Sequence, residues 1–341
     1  MDDKLQVGRR LRTRDLLAAQ QLAGVGPTTV RRLFRIAASR PDLTCLEDVL
    51  DVAFRQPGQR KFPEPDQTAL NSAYVDADRI QSQCDALDVR ITSPLDSEYP
   101  ETLLDLVDFP PVLYVKGSIE ALSKAWKLAV VGTRYPTDLG IKLASEFSSG
   151  LSALGVCVVS GLANGIDAVA HSAALNGPGS TIAVLAHGLD KVAPKSNEKL
   201  AEQILQANGA LISEYEPGTV PRPPQFVSRN RLQSGLGRGS VMVESGFSGG
   251  SIHQGRLTTE QKRLLFVVSP SPDLPGSSEF KREGGDRLAA EFNAIRVKGL
   301  SDILERIPDF KGAAAAPSNA ASATEHADST GPKKKNQGDL F

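Results

Sequence analysis

The chain predicts an α/β protein with a doubly wound, mostly parallel Rossmann-like sheet, and three observations lead there. Apolar runs at 128–131, 156–159, 181–185, 210–212, 240–243 and 264–268 alternate with helix-like segments. The first of these segments carries Ala144, Phe147, Leu151 and Leu154 at helical spacing. Three of the runs end in glycine-rich turns: Gly132-Thr133-Arg134, Ser160 to Asp167, and Ser245 to Ser251. In a parallel sheet such turns share the carboxyl edge, where backbone amides and helix amino termini accept anions. The implied ligand carries phosphates.

In chain order, residues 1–65 read as a small helical domain. Leu16 and Leu17 precede Gly24-Val25-Gly26-Pro27, after which Val30, Leu33, Phe34 and Ala37 recur at helical spacing. This is the pattern of a helix-hairpin-helix, a SAM-like unit. Its glycines would let a DNA phosphate approach, with Arg31 and Arg32 adding charge. A packing or partner-binding hairpin is the alternative. The Pro- and Gly-rich stretch 55–66 reads as a linker, and Leu70, Ala73, Ala77, Ile80, Cys84 and Leu87 mark a lead-in helix over 66–88. Extended segments at 89–91 and 112–115 follow, and the Rossmann unit closes near 310. From 311 to 341 Ala, Ser, Thr, Pro and Gly dominate, the composition of a disordered tail.

With 341 residues and a net charge of −1, the surface as a whole is not that of a polyanion binder, so a bound strand needs a local cluster. Arg9, Arg10, Arg12 and Arg14, the pair Arg229 and Arg231 around Asn230, and Lys333 to Lys335 are such clusters. Three scattered cysteines and the absence of a signal-like or membrane-length apolar run predict a cytoplasmic protein. No Walker loop, Gly-x-Gly-x-x-Gly, nucleophile elbow or zinc spacing occurs, so neither a cofactor nor a metal is expected.

Taken together, Gly132-Thr133-Arg134, Ser160 to Asp167 with Ala170-His171, Thr181 to Leu185, Ser213-Glu214-Tyr215, Arg229-Asn230-Arg231 and Gly235-Leu236 resemble the DNA-processing A (DprA/Smf) family. Tyr99-Pro100 through Tyr114 and Gly117 resemble that family's lead-in, so the likeness runs from about 94 to 268. The resemblance implies a non-enzymatic, often dimeric single-stranded DNA-binding protein that helps a RecA-type recombinase assemble. The candidate DNA-binding residues are Gly132, Thr133, Arg134, Ser160, Gly161, Asn164, Gly165, Lys195, Lys199, Arg229, Asn230, Arg231, Ser248, Gly249, Gly250 and Ser251, with Asp167 as a cap or as an orienter of Arg134.

The chain departs from the family pattern at Asn164, where Lys or Arg is frequent, at Ala186-His187 and Ala193, and at Ser248 to Gln254. The winged-helix module of many relatives has no counterpart in the tail-like residues after 310. There, Gln337, Asp339, Leu340 and Phe341 resemble the short peptides by which bacterial replication and repair proteins dock on the sliding clamp. Two other functions stay open: a small-nucleotide enzyme or sensor using Glu244 at a strand end, and an interaction scaffold whose glycine loops are only tight turns.

Overall fold

A computed structural model describes residues 11–55 and 62–315. The expected tail, Lys333 to Lys335 and the clamp-like peptide lie outside the described residues, as do Arg9 and Arg10.

Four helices come first: α1 (Thr13–Gln21), α2 (Pro27–Ser39), α3 (Leu46–Arg55) and α4 (Gln67–Ala86). The chain then runs β1 (Val89–Thr92), α5 (Glu101–Leu104), β2 (Leu113–Gly117), α6 (Ile119–Ser123), β3 (Lys127–Val131), α7 (Asp138–Ala153), β4 (Cys157–Ser160) and α8 (Ile166–Ala174). It continues through β5 (Thr181–Val184), α9 (Glu198–Gln206), β6 (Ala210–Ser213), α10 (Pro223–Leu236), β7 (Gly239–Met242), α11 (Gly250–Glu260) and β8 (Leu264–Val268). Helix α12 (Glu283–Phe292), β9 (Ile295–Val297) and α13 (Leu300–Arg306) complete it.

Among the described residues nine strands form one sheet in the order β1-β2-β6-β5-β4-β3-β7-β8-β9. Strands β3 to β9 pair in parallel, whereas β1 and β2 extend the sheet antiparallel at one edge. From β3 the chain winds outward through β4, β5 and β6, then returns to β7 on the other side of β3. That reversal is the switch point at which ligands settle in open α/β sheets.

Alternation along each strand sends side chains to both faces. Leu128 and Val130 join a core with α7, α8 and α13, while Ala129 faces Leu232 and Leu236 of α10 and Val131 faces Ile252 of α11 and Leu288 of α12. Toward the β1 edge, α1 to α4 share one apolar cluster with α9 and with Ala183, Leu185 and Leu211 of the sheet. The lead-in helix α4 packs along α1, so the helical layer is continuous with the sheet's own core. Phe34 of α2 closes an edge-on contact with Phe109, ring centroids 5.8 Å apart.

The α1–α2 hairpin has Gly24 at φ +75°. The two arginines expected to add DNA contacts there are turned into the protein instead. Arg31 is buried and donates to the Phe109 carbonyl and to Thr28 Oγ1, and Arg32 donates to the Ala53 carbonyl. These bonds fasten α2 to its neighbours.

Candidate nucleic-acid interface

The turns after β3, β4 and β7 meet. Thr133 N donates to the Glu244 carbonyl at 2.8 Å, and Ile166 N donates to the Thr133 carbonyl at 3.1 Å. Gly165 makes this approach possible: its φ is +80°, and a Cβ there would lie 2.4 Å from the Thr133 oxygen. The three turns and one side of α10 enclose an open cleft of about 570 Å³, with Thr133, Arg134, Ala163, Phe226, Gly249 and Gly250 on its wall.

The three helix starts differ. Thr137 caps α7, and the Glu244 carboxylate accepts from Thr137 N at 2.9 Å, Thr137 Oγ1 at 3.2 Å and Lys281 N at 3.2 Å. At α8 the first amides bond to Thr133, Ala163 and Gly165 carbonyls. Helix α11 begins at Gly249 with no side-chain cap, and its first residues line the cleft. An uncapped first turn that borders a cleft is a place where backbone amides can receive an anion. Ser251 Oγ lies 2.7 Å from Ser245 Oγ, which ties this first turn to the end of β7.

Arg134 is exposed beside these amides, and none of the ion pairs among the described residues involves it. Its guanidinium carbon stands 6.0 Å from the centroid of the half-buried Phe226 ring. Tyr135 next to it is 81% exposed, the kind of aromatic on which a base can stack. Asn164 is exposed and accepts from Ser196 Oγ, and Asn197 Nδ2 donates to the Leu162 carbonyl, so the second turn is tied to the segment carrying the exposed Lys195 and Lys199. Neither lysine lines the cleft.

The Arg229-Asn230-Arg231 triplet is placed differently from the sequence expectation of three strand contacts. Arg229 is 5% exposed and donates from one nitrogen to the carbonyls of Gly161 and Val184, the first at 2.9 Å. Burial, only partly offset by the Asp167 charge, pulls its pKa down to about 10. Asn230 donates to the Gly250 carbonyl at 3.3 Å. Arg231 makes a bidentate pair with Glu214, at 2.7 and 2.6 Å, and a bond to Asp108; despite burial these hold its pKa above the usual value. Thus one helix grips the second turn, the third turn and the end of β6. The triplet is a brace.

Asp167 is braced too. Its Oδ2 accepts from Gly161 N at 3.1 Å, and burial raises its pKa despite the opposing Arg229 charge. Through this bond it orders its own turn. Ser160 is buried, with its hydroxyl on the Val130 carbonyl. Glu244, the acid of the enzyme alternative, has both carboxylate oxygens bonded as described and does not line the cleft. Among the described residues no cluster of three or more His, Cys, Asp or Glu is arranged for a metal, and no helix is long and apolar enough to cross a membrane.

Known proteins resemble this chain in sequence and fold. The family model of DNA recombination-mediator protein A matches residues 90–308, most of the chain. The chain belongs to that family. The Smf protein of Escherichia coli is 39% identical over 215 residues, 63% of this chain and 56% of that one. The DprA protein of Streptococcus pneumoniae is 40% identical over 188 residues, 55% of this chain and 65% of that one. The chain thus spans little more than half the length of its Escherichia coli relative.

Among solved members of the recombination-mediator family, Streptococcus pneumoniae DNA processing protein A aligns with a TM-score of 0.70 at 29% identity. That alignment covers 87% of this chain and 98% of that one. The Helicobacter pylori protein, whose structure is described by its single-stranded DNA binding mode, aligns with a TM-score of 0.57 at 26% identity, over 65% of this chain and 96% of that one.

Proposed function

We propose that this chain binds single-stranded DNA along the rim formed by the three turns, as a binding protein of DNA processing and recombination. One observation carries the reading: an exposed arginine with no ion pair among the described residues and an uncapped helix amino terminus line the same cleft at the sheet's switch point. A phosphate can take backbone donors from Gly249 to Ser251 and charge from Arg134, while Thr133 shapes the wall. Lys195 and Lys199 extend the track beyond the cleft. Arg229, Asn230, Arg231, Asp167 and Gly161 preset the rim so that little ordering is needed on binding. The bonded state of Glu244 favours this reading over a small-nucleotide enzyme.

Two further assignments rest on sequence: the helping of a RecA-type recombinase by a homodimer, implied by the family, and docking on a sliding clamp through Gln337 to Phe341. Deleting those five residues abolishes clamp capture and leaves DNA affinity unchanged if the peptide is the contact; retained capture rejects it. Titrating the protein with a 20-mer single strand, its duplex and a mononucleotide tests the main reading. It predicts the order single strand, then duplex, then mononucleotide. Equal or tighter mononucleotide binding that persists in high salt contradicts it.

A further inference from the structure

Two aromatic side chains are exposed among the described residues, Tyr135 at 81% and Phe247 at 67%, and both border the cleft. Tyr135 lines it, and so do Gly246 and Ser248 on either side of Phe247. The two rings follow β3 and β7, which are neighbours in the sheet. A single exposed ring is ordinary, but two on adjacent turns at one cleft are not a random scatter. One segment holds both turns. Lys281 Nζ donates to the Tyr135 carbonyl, Lys281 N to Glu244 Oε1 at 3.2 Å, and Gly284 N to the Ser245 carbonyl at 2.9 Å. Arg287 of α12 then backs Phe247: its Nη1 donates to the Phe247 carbonyl at 3.3 Å, and its guanidinium carbon stands 5.2 Å from the ring centroid. Arg287 Nε is bonded to Glu291 at 2.9 Å, so this guanidinium already has its counter-charge and serves the ring as a support.

We propose that Tyr135 and Phe247 are stacking platforms for bases of the bound strand, which runs from the Arg134 site across the end of β7 toward α12. The proposal rests on the strand-binding reading and gives the strand a path along the sheet edge. In the order β5-β4-β3-β7-β8, the exposed Lys195 and Lys199 follow β5, Arg134 follows β3, and the Phe247 ring with its Arg287 support lies on the far side. Phosphates thus meet cations and backbone amides, while bases meet rings. Every base has a π-face, so such platforms take any sequence. A duplex keeps its bases stacked on one another, so the same rings favour a single strand. Because Arg287 already holds the Phe247 turn, little ordering of that ring is needed when a base arrives.

The test uses the full chain and two fluorescein-labelled strands of equal length and charge, oligo-dT and a wholly abasic sugar-phosphate strand, read by anisotropy. The parent binds oligo-dT more tightly than the abasic strand by about tenfold or more, the contribution of stacked bases. In the double variant Tyr135→Ala with Phe247→Ala, affinity for oligo-dT falls by about tenfold or more, while affinity for the abasic strand stays within about twofold. The slope of log K against log salt is kept, because no phosphate contact is removed. The pair Tyr135→Phe with Phe247→Tyr keeps both rings and holds the parent's affinity. Equal parent affinity for the two strands, an equal loss on both in the alanine pair, no loss on either, or the same loss in the ring-keeping pair overturns the platforms while leaving strand binding intact. Failure of the parent to bind either strand overturns both.

Discussion

Arg134 and Arg229 line the same cleft but live in opposite environments. Arg134 is exposed, without an ion pair among the described residues, and rests over Phe226. Arg229 is buried, committed to the Gly161 and Val184 carbonyls, and coupled electrostatically to Asp167. A guanidinium beside a phosphate site is thus either a ligand or a brace, and burial decides which. A buried charge left without partners is costly, so Arg229 is fixed by its bonds, whereas Arg134 keeps its donors for a strand.

The sharpest break of this contrast is Arg229→Ala. It leaves two carbonyls and the Asp167 carboxylate without their buried partner, and chemical denaturation should register a loss of about 3–5 kcal/mol. Loss of DNA binding follows only because the second turn no longer holds its shape. A variant as stable as the parent would show that Arg229 is not the brace described.

Acid probes the same buried region. His171 is fully buried against Thr181, and burial together with the Arg229 charge holds its pKa near 3, below the ordinary 6.5. Between those values the unfolded chain binds a proton that the folded chain refuses, so this contribution is complete above about pH 6.5 and shrinks as pH falls toward 3. By pH 4 the loss is on the order of 3 kcal/mol. Thermal unfolding across pH 7 to 4 measures it, and His171→Gln should flatten the profile; an unchanged slope in that variant assigns the acid sensitivity elsewhere.

Gly165→Ala tests the meeting of the turns. Its positive φ and the close Thr133 oxygen should make the substitution cost about 2–3 kcal/mol and weaken strand binding together with stability. The smallest effect belongs to Asn164, on the open side of the contrast. Asn164→Lys adds a cation to the rim, and a gain of about two- to fivefold in affinity at low salt should accompany unchanged stability. No gain would place the strand's path away from this turn.

Much of the sheet was legible because strands buried on both faces must be apolar throughout, which is why 128–131 and 264–268 stand out in the sequence. Strand β9 escaped notice: it has three residues, and only Val297 is buried. The three turns were legible as glycine patterns, since tight approach to a neighbouring carbonyl leaves no room for a side chain at Gly165.

The direction of a charged side chain was not legible. Arg229, Asn230 and Arg231 occupy a helix that is buried without interruption from 229 to 236, and its polar composition hides that burial. Ser213-Glu214-Tyr215 ahead of the triplet held one clue, a carboxylate able to neutralise Arg231. Phe226, Tyr135 and Phe247 gave weaker signals. Phe226 falls one helical turn before Arg229, but whether it meets the cleft depends on how α10 crosses α11.

The most direct test of the central claim is the salt dependence of single-stranded DNA binding by the parent chain and by Arg134→Ala, with stability measured alongside. Removing one phosphate contact should lower affinity at every salt concentration and reduce the slope of log K against log salt by about one. Unfolding should be unaffected to within about 0.5 kcal/mol. An unchanged slope and affinity, with or without a change in stability, would show that Arg134 does not grip the strand.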